Sequence, residues 1–168
     1  MKKYFLILII PFFAFAFTGN PPSGWYEQTL PNIGGRPIAD IFFLDSLTGW
    51  IVTPYQQQND TAYVLKTTNG GDNWFIANLR IGQFVGHNRI QFLNSVTGYI
   101  CGASDFGDYS GLNKSTDGGL NWFDINIPDP FAGYDDMLIL NEDTIWLVND
   151  NPVEGCIYRT TNGGLNWT

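Results

Sequence analysis

The sequence predicts an all-β protein made of a repeated four-stranded antiparallel unit, and three observations predict it. First, Leu65-Lys-Thr-Thr-Asn-Gly-Gly-Asp-Asn-Trp74 recurs as Asn113-Lys-Ser-Thr-Asp-Gly-Gly-Leu-Asn-Trp122 and as Tyr158-Arg-Thr-Thr-Asn-Gly-Gly-Leu-Asn-Trp167, the tryptophans being 48 and then 45 residues apart. A second motif precedes each copy: Phe43-Leu-Asp-Ser-Leu-Thr-Gly-Trp50, Phe92-Leu-Asn-Ser-Val-Thr-Gly-Tyr99, and a copy read as one residue shorter, Leu140-Asn-Glu-Asp-Thr-Ile-Trp146. Two motifs in one order, three times over, mark a repeat architecture. Second, short β-branched and aromatic runs alternate with clusters of Gly, Asn, Asp and Pro, the pattern of short strands and tight turns. Third, no stretch beyond the N-terminus keeps a 3.6-residue apolar period, so helices are not expected.

The first residues read as an address. Lys2 and Lys3 precede an apolar run from Tyr4 to Phe17, and Ala14-Phe15-Ala16 fits a small-x-small cleavage site. The run is broken by Pro11 and is short of the roughly 20 residues of a spanning helix. A signal peptide over residues 1–16 and an exported product, secreted or periplasmic, are therefore expected; an uncleaved anchor or a buried helix is the alternative. No Cys follows the run, so lipid attachment is not indicated. Gly24-Trp-Tyr-Glu-Gln-Thr-Leu-Pro31 resembles Asn121-Trp-Phe-Asp-Ile-Asn-Ile-Pro128 and reads as the outermost strand of an earlier unit.

The first complete unit should place strands at about Ile38–Leu44, Gly49–Thr53, Ala62–Thr68 and Trp74–Leu79. The second should place them at about Arg89–Leu93, Gly98–Gly102, Leu112–Thr116 and Trp122–Ile127. The third gives Asp136–Leu140, Thr144–Val148 and Cys156–Thr161, with Trp167-Thr168 opening a fourth. The turn before each of these tryptophans has a physical logic. Asp117, or Asn69 and Asn162 in the other copies, can accept backbone N–H bonds, and the Gly-Gly pair can take positive φ without steric cost. The tryptophan can then lie across the hairpin as an apolar plug. Thr67, Asn69, Gly71 and Trp74, Ser115, Asp117, Gly119 and Trp122, and Thr160, Asn162, Gly164 and Trp167 are thus assigned to architecture.

Composition bounds the function. Eight Lys and Arg against sixteen Asp and Glu leave a formal charge of −8 in 168 residues, and loss of the leader would remove Lys2 and Lys3 but no acid. Nucleic-acid binding and polybasic membrane attachment both need clustered cations and are excluded on that ground. A hydrophobic content of 44% and an aromatic content of 16% are too high for a disordered chain. Cys101 and Cys156 form no disulfide framework or zinc motif and sit in apolar runs; buried free thiols are expected, although an exported chain could oxidise them.

Ser/Thr-x-Asp/Asn-x-Gly-x-Asn-Trp is similar to the Asp-box, or BNR repeat, of sialidases and sortilin-like proteins. The fuller pattern, Phe-Leu-Asp-x-x-x-Gly-Trp followed by Lys/Arg-Thr-Thr-Asn-Gly-Gly-x-x-Trp, resembles the photosystem II assembly and stability factor group over about Gly24 to Thr168. The resemblance implies a β-propeller of four-stranded blades, here three to three and a half of them. Propellers close with four or more blades. The sequence is then expected to be a piece of a longer chain, with assembly of copies into a ring as the alternative. The N-terminal strand could complete the last blade as a clasp, which would remove one edge but not close a ring.

Binding chemistry on such a scaffold belongs to the irregular connections on one face. Tyr55, Phe84, Phe106, Tyr109, Phe131 and Tyr134 supply aromatic area there, and Asp60, Asp105, Asp108, Asp129, Asp150 and Glu154 supply carboxylates. A glycan, a peptide or a cationic protein patch would suit that mixture; the plainer reading is aromatics packing their own loops and acids conferring solubility. Asp105 and Asp108 alone fall well short of a Ca²⁺ site, and no metal or cofactor is expected. Lys66, Lys114 and Arg159 share one place in each repeat. The resemblance to the photosystem group allows them a part in partner binding, whereas the residues alone read as solvated strand positions paired with acids. Sialidases of this fold use three arginines, a Tyr/Glu pair and an acidic Asp. Arg36-Pro37-Ile38 does not reproduce their Arg-Ile-Pro order, and His87 has no nucleophile motif beside it. A non-catalytic binding or scaffold role follows. A photosystem II assembly factor, or the front part of a glycoside hydrolase, are the alternatives.

Overall fold

A computed structural model describes residues 24–54, 61–81, 88–103, 110–131, 133–149 and 156–168. The expected leader lies outside them, and no described helix is long and apolar enough to cross a membrane. The described chain forms three antiparallel sheets. The first orders β1 (Asp40–Phe43), β2 (Gly49–Val52), β3 (Thr61–Thr67) and β4 (Phe75–Ile81) side by side. The second repeats this with β5 (Arg89–Phe92), β6 (Gly98–Ala103), β7 (Ser110–Ser115) and β8 (Phe123–Ile125). The third has β9 (Tyr134–Ile139), β10 (Ile145–Asn149) and β11 (Ile157–Thr160). Each sheet is one propeller blade. The first strands adjoin from blade to blade: Asp40 accepts a bond from the Ile90 amide, and the Gln91 amide group exchanges two bonds with the backbone of Ile139.

The strands fall within a few residues of expectation, with three corrections. The tryptophans stand just ahead of β4 and β8 instead of opening them, because their rings turn inward under the Gly-Gly turn. The third copy of the second motif is full length, starting at Ile139. Asn141 Oδ1 accepts the amides of Asp143 and Thr144 as Asp45 Oδ1 accepts those of Leu47 and Thr48, and as Asn94 accepts those of Val96 and Thr97. Phe43 and Phe92 are replaced there by Ile139, a change of residue type that hid the match. Gly24–Pro31 forms no strand, yet it lies where an earlier blade's outer strand would. Gln28, three residues after Trp25, sits against Gly71, as Ile125, three after Trp122, sits against Gly164.

The turns before the tryptophans form as expected. Gly71, Gly119 and Gly164 have φ of 96°, 92° and 91°, and their amides donate to Thr67, Ser115 and Thr160. These hydroxyls donate in turn to Asn69, Asp117 and Asn162 at 2.9 Å each. A further bond locks each turn to the first hairpin: the amides of Gly70, Gly118 and Gly163 donate to the carbonyls of Leu47, Val96 and Asp143.

Asp117 is the only ionisable member of the three acceptors. Burial pushes its carboxyl up, but hydrogen bonds from the Asn121 backbone and side chain, Ser115 and Leu120 outweigh that and hold it below 3.8. A lowered native pKa adds stability above the unfolded value and loses it as pH falls through the native one. The stability advantage of the wild type over Asp117→Asn, measured by denaturant melts, should therefore hold at pH 6 and shrink once pH falls below about 4. An advantage that stays constant to pH 2.5 would contradict the carboxylate's role.

The core lies between blades. Trp50, Val52 and Val64 of the first meet Ile90, Phe92 and Ile100 of the second, with Trp122 closing the end. Tyr99, Cys101 and Leu112 of the second meet Ile139, Ile145, Leu147 and Tyr134 of the third. A third cluster, Ile51, Leu65 and Trp74, is covered by Leu30 and Ile33 from the N-terminal segment. Cys101 is buried and Cys156 half-buried, and both are unbridged; burial raises the Cys101 thiol far above its usual range.

Candidate binding surface

The connections β2–β3, β4–β5, β6–β7, β8–β9 and β10–β11 leave the sheets on one face, opposite the Gly-Gly turns, because antiparallel hairpins alternate ends. Of the residues expected to bind there, Tyr55, Asp60, Phe84, Asp105, Phe106, Asp108, Tyr109, Asp150 and Glu154 lie outside the described residues. The β8–β9 connection is described at both ends of residue 132. Asp129 Oδ1 accepts the Phe131 amide at 2.8 Å, and Ser110 Oγ accepts that of Gly133 at 2.7 Å. This bracing holds Phe131 out in solvent, 64% exposed, as a surface aromatic should be.

Tyr134 is a correction. It was expected on the loop surface, but it opens β9 and is fully buried, with its ring edge-on to Tyr158 at 6.0 Å. Its hydroxyl accepts the Asp129 amide at 3.3 Å, and burial pushes its pKa up to about 12. Strict alternation from Ile139 would put Tyr134 on the exposed face with Asp136 and Leu138; the register shift between Val148 and Asn149 turns it into the core, which no periodicity announces. On the same face Arg36 lies over the Tyr63 ring at 5.8 Å, a contact that the sequence did not announce.

The three repeated cations follow the expectation in part: Lys114 is paired with an acid, whereas Lys66 is held by a carbonyl. Lys66, Lys114 and Arg159 stand directly across from Trp50, Tyr99 and Trp146 in the strand pairing. Each lies over that ring, at 5.0, 5.7 and 5.3 Å. They are not simply solvated. Lys66 Nζ donates to the Gly118 carbonyl at 3.2 Å, which also receives Trp50 Nε1 at 3.0 Å. Lys114 Nζ pairs with Glu142 at 2.7 Å. The first two cations therefore stitch one blade to the next. Burial lowers Lys66 and Asp117 only partly restores it; burial also acts to lower Lys114, but the Glu142 hydrogen bond and charge together with Tyr99 outweigh it and leave the ammonium raised. Arg159 reaches no following blade among the described residues.

The innermost strands carry a second polar set. Arg89 Nε lies 3.4 Å from Asp136, both well exposed, so that pair contributes little energy. Asp135 is half-buried beside it. Among the described residues no group of three or more His, Cys, Asp or Glu is placed to hold a metal ion.

The arrangement offers aromatic and charged side chains on a rigid repeat, which suits recognition of a protein segment. The comparisons with known proteins agree with this architecture. A solved structure described as YCF48 bound to D1 peptide superposes with a TM-score of 0.59 at 26% identity, over 79% of this chain and 39% of that one. YCF48 from Cyanidioschyzon merolae superposes with a TM-score of 0.59 at 24% identity, over 84% of this chain and 42% of that one, a likeness of fold. The chain thus spans about two fifths of the length of these structures. No curated protein matches it. The family profile described as photosynthesis system II assembly factor YCF48 matches residues 22–168. With the whole described chain inside that match, the protein belongs to the YCF48 family of photosystem II assembly factors.

Proposed function

We propose that this chain acts as a photosystem II assembly factor that works by binding an extended segment of a partner protein, without catalysis. The observation that carries the reading is family membership across residues 22–168, together with a related structure described as bound to a D1 peptide. A peptide replaces the glycan as the favoured ligand, since nothing in the comparisons points to carbohydrate. Export to the compartment where a membrane protein's soluble segments emerge is part of the same proposal and rests on the N-terminal leader pattern.

Exposed Phe131, braced by Asp129 and Ser110, is the described loop-face residue best placed to anchor such a segment. The test is fluorescence anisotropy of labelled D1 peptide titrated with the full chain, with a scrambled peptide as control. Saturable binding competed by unlabelled peptide is the expected result. Phe131→Ala should weaken it about tenfold, a loss of ~1.4 kcal/mol typical of an aromatic anchor. Equal or absent binding of the two peptides by a folded chain would overturn the proposal.

A further inference from the structure

Two of the three turns before the tryptophans contain an Asn-Gly step, Asn69-Gly70 and Asn162-Gly163, and the chain has no other. That dipeptide carries its own chemistry. Glycine has no Cβ to shield its amide nitrogen, so the nitrogen can lose its proton and attack Cγ of the preceding asparagine. A bond from the glycine nitrogen to Cγ forms, the Cγ–Nδ2 bond breaks, and ammonia leaves behind a succinimide ring. Water then opens the ring. Breaking the new bond to Cγ gives aspartate. Breaking the bond to the α-carbonyl gives isoaspartate, whose backbone is one atom longer.

The folded turn ties the two reacting groups to different partners. The Gly70 and Gly163 amides donate to the carbonyls of Leu47 and Asp143 at 2.9 and 3.0 Å. Asn69 Oδ1 accepts the Thr67 hydroxyl at 2.9 Å and the Asn73 amide at 3.0 Å. Asn162 Oδ1 accepts the Thr160 hydroxyl and the Asn166 amide, both at 2.9 Å. Loss of the glycine proton and rotation of the asparagine therefore each wait for one of these bonds to break, which is a local opening of the turn.

The middle turn shows what the product would meet. Asp117 Oδ1 accepts the Ser115 hydroxyl and the Asn121 amide at 2.9 Å each, as the two asparagines do with their own partners. Its second oxygen, where asparagine has Nδ2, accepts Asn121 Nδ2 at 2.7 Å. Asn73 and Asn166 occupy the place of Asn121 in their repeats, so an aspartate at 69 or 162 offers them the same acceptor. Isoaspartate has no such fit, because the bonds from the Gly71 and Gly164 amides to Thr67 and Thr160, at 3.0 Å each, span a turn of fixed length.

We propose that Asn69 and Asn162 are deamidation sites, closed while their turns are bonded and open whenever a turn unlocks, with aspartate as the product that the fold accepts. The test is peptide mapping by mass spectrometry of the full chain after incubation in mildly alkaline buffer, with and without denaturing urea. Both sites should deamidate in urea and slow by about tenfold or more in the folded chain, in step with the hydrogen-exchange protection of the Gly70 and Gly163 amides. Thr67→Ala, with its fold checked by circular dichroism, should speed Asn69 and leave Asn162 at the wild-type rate. Asn69→Asp and Asn162→Asp should each melt no lower than the wild type at neutral pH. Equal rates in the folded and unfolded chain, a folded Thr67→Ala variant that changes neither site or both alike, or aspartate variants that melt lower would each overturn the inference. The readout is a covalent change and not ligand binding, so its failure is separable from failure of the peptide-binding reading.

Discussion

Replacing Trp50 with Ala is expected to destabilise the protein by ~3–5 kcal/mol, the range of large core truncations. The indole is fully buried and lies flat on Phe92, with centroids 3.6 Å apart and planes 8° from parallel. Its removal leaves a cavity at the seam of the first two blades, the term that makes such losses exceed simple transfer. It also strips Nε1 from the Gly118 carbonyl and the ring from beneath Lys66. Lys66 keeps its own bond to that carbonyl, so the oxygen is not orphaned, and the loss is mainly packing. Chemical denaturation monitored by tryptophan fluorescence and circular dichroism would measure it. Trp146→Ala is the control, since its ring is only half-buried. A Trp50→Ala variant as stable as Trp146→Ala would show that the seam does not carry the core.

The second large effect concerns a pair that the blades solve in two ways. In the first two blades a Phe lies over a Gly directly across the strand pair, Phe43 over Gly49 and Phe92 over Gly98. A Cβ on Gly49 would meet the Phe43 ring at 2.8 Å, and one on Gly98 would run into the ring of Phe92. In the third blade the same positions hold Ile139 and Ile145. Gly98→Ile alone should cost ~1–3 kcal/mol or more by overpacking. Phe92→Ile alone should lose the stacking on Trp50 and part of its packing. The double variant reproduces the third blade's pair and should be more stable than the two single losses predict, with a coupling of about 1–3 kcal/mol in a double-mutant cycle. Additive losses would mean that the two pairings are not interchangeable solutions to one volume.

Much of this was legible in the chain because it is local. The turn chemistry of Thr67-x-Asn69-x-Gly71, Ser115-x-Asp117-x-Gly119 and Thr160-x-Asn162-x-Gly164 needs only residues a few positions apart, so its motif is visible and backbone amides donate to Asn69, Asp117 and Asn162 as expected. The strand runs and the repeat were visible for the same reason, as were Phe131 as a surface aromatic and Cys101 as a buried thiol. The third copy was misaligned by one residue because Ile139 and Ile145 exchange volume across a strand pair, and a pattern tuned to Phe and Gly cannot register a compensated swap.

What only the tertiary structure decided concerns contacts between residues far apart in the chain. Tyr134 is chemically suited to a binding loop, and burial by the second blade makes it core. Lys66 looks like a solvated cation until the next blade brings the Gly118 carbonyl to it, and only the packing of the blades makes Glu142 the acid that pairs with Lys114. Trp50 and Phe92 are 42 positions apart, and no spacing announces that they stack. The sequence by itself determined the blades, through hydrogen bonds and φ angles set within each unit. The tertiary structure decided the seams, because apolar burial is non-directional and its partners are chosen by the packing of whole sheets.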